Sequence, residues 1–488
     1  MVPEGPYLVV GLGRAGDAAA RGLADRHGPD SVSIWDGLGW TSQRDRARPL
    51  LERGIRVAHG GDGIPMLDQS PAPAVLIKSP GLPFDTPLIH AAEQRGIPVL
   101  DEAELGWRLD RRPMVAVTGT NGKSTSVELV AAILRADGRS PVVAGNSTFG
   151  VPLTEAVDLT GNLIVAEISS FQLEGCPTLR ADAGLFTNLG HDHLYRHGSA
   201  RAYENCKRRL FFREDGPCPV AAIGIDQPAG QSLARDLRAS GSRVTTFGLH
   251  PEADRRVLKV EASERGSRVV VSEGSGAHTL DVRLSGPYNA LNLAGALALA
   301  DSMGINPEHA ASAIEGMAPL PGRFERLPGP HGSEVIVDYA HNPDGVAQMI
   351  SAGRAELTAK GQGSLRVVMS ALTLVGFDQT HAMGRIAATG ADHLVLTTQR
   401  WNPEEAAGVL PPGLLEGALS AGAVTPEVET DRRAAIELAL GAADEGDLIL
   451  VLDRGNGGGN LFDDEGRPHR FDDRAEVRAA VDQLNSSN

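Results

Sequence analysis

The chain of 488 residues is too long for one hydrophobic core and predicts about three domains. Acidic residues outnumber basic ones, 62 to 46, giving a formal net charge of −16. That balance excludes a broad nucleic-acid face and favours small anions gripped locally.

In chain order, strand-like apolar runs alternate with Ala-rich helical patterns, the rhythm of parallel α/β domains. The stretches YLVVGLG, SVSIWD, IRVAHG, AVLIKSPG and IPVLDEAEL predict a first, Rossmann-like domain over residues 1–110. After the polar linker RLDRRP, the strand MVAVTG opens a second unit, expected over 111–318, with a phosphate loop. Within it RVTTFG, VLKVEAS, SRVVVSE and LDVRLSG predict a run of antiparallel strands before a helix. The Pro- and Gly-rich MAPLPGRFERL marks the next boundary and places a hinge at Pro321-Gly322. A third α/β unit, 319–488 and again Rossmann-like, follows with EVIVDYAHN, LRVVMSAL, DHLVLTTQ and GDLILVLDRG. The opening MVPEGPYLVVGLG lacks a basic segment followed by an apolar core, and no apolar run is long enough to span a bilayer. Cys176, Cys206 and Cys218 share no metal-ligand spacing, and their odd, sparse number argues against a disulfide framework. A cytosolic protein is expected.

Two glycine loops stand out. In GTNGKST, residues 119–125, the glycines let several backbone N–H groups face one anion, Lys123 brings a positive charge, and the Ser124 hydroxyl can reach Mg²⁺. The usual phosphate loop has a longer spacer than Thr120-Asn121, but a strand before and a helix after predict ATP binding. The other loop, GLGRAG, has Gly11, Gly13 and Gly16 in the dinucleotide pattern, with Asp36 at the next strand end. Alone, it fits either a nicotinamide oxidoreductase or tight strand–helix packing.

Further motifs follow in order: VAEISSFQLE (165–174), TNLGHDHLYRHGS (187–199), AYENCKRRL (202–210), GPYNALNLAGALALA (286–300), LPGRFE (320–325) and VDYAHNPDG (337–345). Together with GTNGKST they resemble the Mur ligase family, the ATP-dependent amino-acid-adding enzymes of peptidoglycan synthesis, over essentially the whole chain. The first half is most similar to the D-glutamate-adding branch. There the GLG loop holds uridine diphosphate, which explains two nucleotide loops in one chain. The second half resembles the diaminopimelate- or lysine-adding, folylpolyglutamate and cyanophycin branches, although DRGNG (453–457) and SALTLVG (370–376) depart from the patterns of those branches.

The resemblance implies an ATP-dependent amide ligase that joins an amino acid, glutamate, to the carboxylate of UDP-N-acetylmuramoyl-L-alanine through an acyl phosphate. It implies ATP contacts at Gly119, Thr120, Asn121, Gly122, Lys123, Ser124, Thr125, Asn292, Arg323 and Asp338. Mg²⁺ falls to Ser124, Glu167, His193 and, if carbamylated, Lys207. Lys123, His193 and Lys207 are the implied catalytic residues. Substrate contacts fall to Gly13, Arg14, Asp36, Ser79, Gly81, Asn146, Ser169, His341 and Asn342. Three of these have a plainer reading, Glu167 as a surface acid, His193 as a turn histidine and Lys207 as a solvated helix residue, and Asn289 in the GPYNALN stretch reads equally as an N-cap. Small-molecule substrates, no nucleic acid, no membrane and a monomer are expected. The same chemistry on another carboxylate, in specialised metabolism, is the alternative; an NAD(P)-linked oxidoreductase or an ATP-binding scaffold is more remote.

Overall fold

Strands whose side chains are buried on both faces belong in parallel sheets covered by helices, and Tyr7–Val10, Val75–Lys78, Met114–Thr118 and Leu448–Val451 are buried throughout. In the computed structural model, residues 2–486 are described except 39, 264–265, 275, 402–407, 457–458 and 464–466. Each large sheet draws its strands from a separate stretch of chain. The first contains β1 (Tyr7–Val10), β2 (Val32–Asp36), β3 (Arg56–His59), β4 (Val75–Lys78) and β5 (Val99–Asp101), all parallel, in the order β3-β2-β1-β4-β5. The chain reverses its direction of travel between β1 and β4, and a crevice opens beyond their carboxyl ends, where Gly11 and Ser79 emerge.

The second sheet begins with β6 (Met114–Thr118), β7 (Pro141–Gly145), β8 (Leu163–Glu167) and β9 (Ala183–Phe186). A separate small hairpin, β10 (Phe212–Arg213) and β11 (Gly216–Pro217), precedes β12 (Val220–Gly224) and β13 (Arg243–Gly248). Then come β14 (Arg255–Ser263), β15 (Gly266–Glu273) and β16 (Gly276–Val282). The order is β16-β15-β14-β13-β12-β9-β6-β8-β7, parallel from β7 to β14 and antiparallel beyond. RVTTFG, expected among the antiparallel strands, is β13 and pairs parallel with β12. The reason is the helix Pro228–Ala239 between them, a crossover that returns the chain in the same direction.

The helix Pro287–Met303 is buried on nearly all sides between β12, β13 and the helix Lys123–Ala136. Its Leu293 and Leu297 join the core there, and side chains of that size contribute about 1.5–3 kcal/mol each on burial. This packing sets the helix's Asn292 against the phosphate loop. The third sheet is β17 (Glu325–Pro328), β18 (Glu334–Val337), β19 (Leu365–Met369), β20 (His393–Leu396), β21 (Glu427–Val428) and β22 (Leu448–Val451), in the order β17-β18-β22-β19-β20-β21 with β17 antiparallel. No described helix is long and apolar enough to cross a membrane. Cys176, Cys206 and Cys218 are unpaired and buried.

Candidate active site

Beyond β1 the Gly11–Gly13 turn leads into the helix Arg14–His27, and a Cβ on Gly16 would lie 1.8 Å from Gly11 O. The third glycine therefore serves close strand–helix packing. Asp36, at the end of β2, accepts Leu12 N at 2.6 Å and Leu38 N at 2.8 Å, so this carboxylate shapes the loop it faces. Ser79 Oγ donates to Gly11 O at 3.0 Å. Together with Gly13, Arg14, Gly81 and Asn146 these residues line a cavity of about 770 Å³ between the first and second sheets. Arg14 also crosses to the second unit, donating to Gly150 O at 2.6 Å. Ser169 does not line the cavity. Its hydroxyl forms a reciprocal capping box with Gln172 at the start of the helix Ser170–Glu174, and Gln172 is the lining residue.

The phosphate loop follows β6 and is braced from below. Thr120 N donates to Asn188 O at 3.0 Å, Asn121 N to Asn188 Oδ1 at 3.0 Å, and Thr187 Oγ1 to Asn121 O at 2.7 Å. Gly122 has φ 82° and precedes the helix Lys123–Ala136, which has no side-chain cap. Its first amides, including those of Ser124 and Thr125, are thus set out for an anion. Lys123 Nζ donates to Thr120 O at 2.7 Å. Burial lowers its pKa, with Glu167 and Asp192 opposing and Arg323 reinforcing.

Glu167, 3% exposed at the end of β8, accepts Ser124 Oγ at 2.6 Å and Asn146 Nδ2 at 3.1 Å. Arg323 Nη2 reaches Ser124 Oγ at 3.4 Å from the third unit, its guanidinium 4.5 Å from the Tyr339 ring centroid. A hydrogen-bonded path therefore runs from the cavity through Asn146, Glu167 and Ser124 to Arg323. Lys207 is buried, not solvated: Nζ donates to Gly119 O at 2.6 Å and lies 4.5 Å from the Tyr203 ring centroid. Burial and then Lys123 push its pKa well below the usual lysine value. His193 has a left-handed backbone (φ 55°), and its buried Nδ1, 3.4 Å from Asp192 Oδ1, makes no hydrogen bond among the described residues. Burial lowers the pKa of this imidazole against the pull of Asp192, which favours the neutral ring.

The third unit closes on this loop. Asn342 caps the helix Pro343–Lys360 through Gly345 N at 2.8 Å, and its Nδ2 donates to Asn121 Oδ1 at 2.9 Å and Asp192 Oδ2 at 3.1 Å. Gln379 Nε2 adds a bond to Asp192 Oδ1 at 3.1 Å, and His341 Nε2 lies 3.9 Å from Asp192 Oδ2. Burial pushes the Asp192 carboxyl up, but His193, His341, Gln379 and Asn342 together bring it below the usual range. Asp338 Oδ2 accepts Phe324 N at 2.7 Å and Tyr288 Oη at 3.1 Å. At the expected hinge, a Cβ on Gly322 would lie 2.0 Å from Asn456 N, so this turn is packed against the loop after β22; Gly457 of that loop lies outside the described residues.

Asn289 is not an N-cap: Gly286 holds that position, and Asn289 Nδ2 donates to Ser285 O at 2.7 Å while its Oδ1 accepts Asn292 Nδ2 at 3.1 Å. Asp192 and Gln172 were not singled out from sequence; GHDHL contains the one and the Ser-x-x-Gln capping pattern signals the other. Among the described residues, no group of three or more His, Cys, Asp or Glu side chains is arranged to hold a metal ion.

A nucleotide loop, a second nucleotide-sized cavity and a carboxylate–hydroxyl bridge between them define a ligase-type site on an α/β scaffold. Residues 117–300 match the Mur ligase middle domain and residues 322–455 the Mur ligase glutamate ligase domain. The chain is 33% identical over 352 residues to the UDP-N-acetylmuramoylalanine–D-glutamate ligase of Pelotomaculum thermopropionicum, covering 71% of this chain and 74% of that one. It is 32% identical over 426 residues to the UDP-N-acetylmuramoyl-L-alanyl-D-glutamate–2,6-diaminopimelate ligase of Geobacter metallireducens, covering 77% and 80%. The fold is similar to that of UDP-N-acetylmuramate-alanine ligase from Thermotoga maritima, with a TM-score of 0.63 at 19% identity over 99% and 100% of the two chains. The chain belongs to the Mur ligase family and is an ATP-dependent amide-forming ligase.

Proposed function

We propose that the chain joins glutamate to the carboxylate of UDP-N-acetylmuramoyl-L-alanine, acting as a monomer in peptidoglycan precursor synthesis. The supporting observation is the path Asn146–Glu167–Ser124–Arg323, which links the cavity to the phosphate loop within one chain. In this reading the chain has three domains, 1–110 for the uridine diphosphate, 111–318 for ATP and 319–488 for the amino acid; three large sheets drawn from separate stretches of chain support it.

An amide forms from a carboxylate only after one of its oxygens becomes a leaving group. In the proposed reaction the ATP γ-phosphoryl group passes to that oxygen, and amine attack on the acyl phosphate expels phosphate. Two anions meet in the first step, so neutralising charge dominates the problem. Lys123 and Arg323 supply fixed positive charge from two units. The donor set suits Mg²⁺: the Ser124 hydroxyl and Glu167 carboxylate are 2.6 Å apart and buried, and His193 offers a buried Nδ1 that makes no hydrogen bond among the described residues. Bound there, the cation would supply further charge neutralisation to the triphosphate. Asn292, beside Gly122, and Asp338 hold the nucleoside. Burial, which lowers the pKa of Lys207, favours the neutral amine that carbamylation requires. Asn342 and Asp192 hold the third unit closed, which keeps water from the acyl phosphate.

The diaminopimelate ligase match, 32% identical over 77% of the chain, supports a second reading, in which the carboxylate belongs to a longer muramoyl peptide. ADP release with UDP-N-acetylmuramoyl-L-alanine and with its L-alanyl-D-glutamyl homologue separates them. The first reading expects stimulation by the former, and stimulation by the latter alone overturns it.

A further inference from the structure

One carboxylate in the substrate cavity has no task in the reaction above. Glu102 begins the helix Glu102–Leu109 directly after β5, is 1% exposed, and lines the same cavity as Arg14, Asp36, Ser79 and Asn146. Its Oε1 accepts two hydrogen bonds from Thr154, from N at 2.7 Å and from Oγ1 at 2.6 Å. Oε2 accepts none, and no Lys, Arg or His is paired with Glu102, among the described residues. The adjacent cation, Lys78, is committed to Asp101 at 3.0 Å. The little of Glu102 that is exposed opens into this cavity, so a ligand there can take the place of water on Oε2.

The topology says which part of the ligand that is. Asp36 ends β2, while Glu102 follows β5, and the order β3-β2-β1-β4-β5 puts three strand spacings between them. At about 4.8 Å each, the two carboxylates stand roughly 14 Å apart across the cavity. Thr154, which holds Glu102, belongs to the second unit and lies just beyond the cavity-lining Pro152. Glu102 thus faces the end of the ligand nearer Asn146 and the phosphate loop, remote from the base end at Asp36.

We propose that Glu102 is a specificity-determining contact for the sugar–peptide half of the UDP-linked substrate, its Oε2 accepting a hydrogen bond from a hydroxyl or amide N–H there. This rests on the substrate reading given above. An acceptor on the wall of a binding cavity, once a ligand displaces water from it, rejects ligands lacking the matching donor far more strongly than an apolar wall does.

Calorimetric binding of UDP and of UDP-N-acetylmuramoyl-L-alanine at about pH 8, where the carboxyl is mainly ionised, to the wild type, Glu102→Gln and Glu102→Ala tests this. In Glu102→Gln, Thr154 N fixes the amide oxygen toward itself, so the amide N–H₂ faces the ligand's donor. The expected result is UDP affinity unchanged within about twofold and muramoyl-ligand affinity reduced about 10- to 100-fold, with the Gln variant weaker than the Ala variant, which leaves room for water. A purely structural role predicts the reverse order, because Gln preserves the Thr154 bonds. That reverse order, equal loss of both ligands, or unchanged muramoyl binding overturns the proposal. If the wild type itself fails to bind the muramoyl ligand, the substrate reading falls and the proposal with it; wild-type binding with an unchanged Gln variant removes the proposal alone.

Discussion

Gly122→Ala separates two costs that the structure makes distinct. Gly122 has φ 82°, and an alanine there pays about 1–2 kcal/mol for the left-handed backbone. Its Cβ would also lie 2.0 Å from Asn292 Oδ1, closer than atoms approach, so the Asn292 side chain must move. Moving it breaks the 3.1 Å bond from Asn292 Nδ2 to Asn289 Oδ1 and strands buried polar atoms, a further loss of about 1–3 kcal/mol. The sum is about 2–5 kcal/mol. Gly138, at the other end of the same helix, has φ 77° and nothing within 4 Å of its would-be Cβ, so Gly138→Ala pays only the backbone part. Thermal melting and steady-state KM values for ATP distinguish the two variants. Gly122→Ala is expected to melt lower and to raise the ATP KM about tenfold or more, with the UDP-linked substrate bound as before; Gly138→Ala keeps its ATP KM. If both variants melt together and bind ATP alike, Asn292 does not meet the nucleotide through this loop.

Lys123→Ala is expected to lower turnover by roughly 10²-fold or more while the fold persists, because in the proposed reaction its charge neutralises the transferring phosphoryl group; near-normal turnover removes the loop from the mechanism. Asp36→Ala frees both Leu12 N and Leu38 N, and is expected to weaken the UDP-linked substrate and spare ATP; equal weakening of both contradicts two separate sites. Lys207→Ala is expected to be nearly inactive and partly rescued by a short carboxylic acid, with Lys207→Arg inactive, because guanidinium stays positively charged; a fully active arginine variant refutes carbamylation. Burial raises the Glu102 carboxyl from 4.5 to about 7, so its stabilising contribution is complete below pH 4.5 and lost as pH rises through 7. Glu102→Gln, melted without ligand, should therefore gain on the wild type by about 2–4 kcal/mol across that window; a constant difference refutes the shift.

The parts of the site that are local in sequence were legible in it. GTNGKST needs only its own glycines and the helix that follows, and Glu167 announces itself as an acid ending an apolar strand. Residues whose roles come from distant partners were not. Asp192 gains its place from Asn342 and Gln379, 150 and 187 residues away, and neither pairing leaves a periodic trace. Glu102 looks like any acid in a helix's first turn until Thr154, 52 residues on, takes one of its oxygens. Lys207 sits beside Arg208 and Arg209 in sequence, yet the helix turns it alone onto Gly119 O. The direction of β13 was missed because an apolar alternation specifies a strand and its faces but not its partner; the intervening helix Pro228–Ala239 decides that.

In the proposed reaction, phosphoryl transfer to the substrate carboxylate precedes amide formation, in a site shared by the cavity and the phosphate loop. This order is tested most directly by following oxygen from a UDP-N-acetylmuramoyl-L-alanine whose carboxylate carries ¹⁸O, with ATP and glutamate. One carboxylate oxygen becomes the bridge of the acyl phosphate and leaves with phosphorus when the amine attacks. The expected result is one labelled oxygen in the phosphate released for each amide formed. Unlabelled phosphate alongside normal product would contradict it.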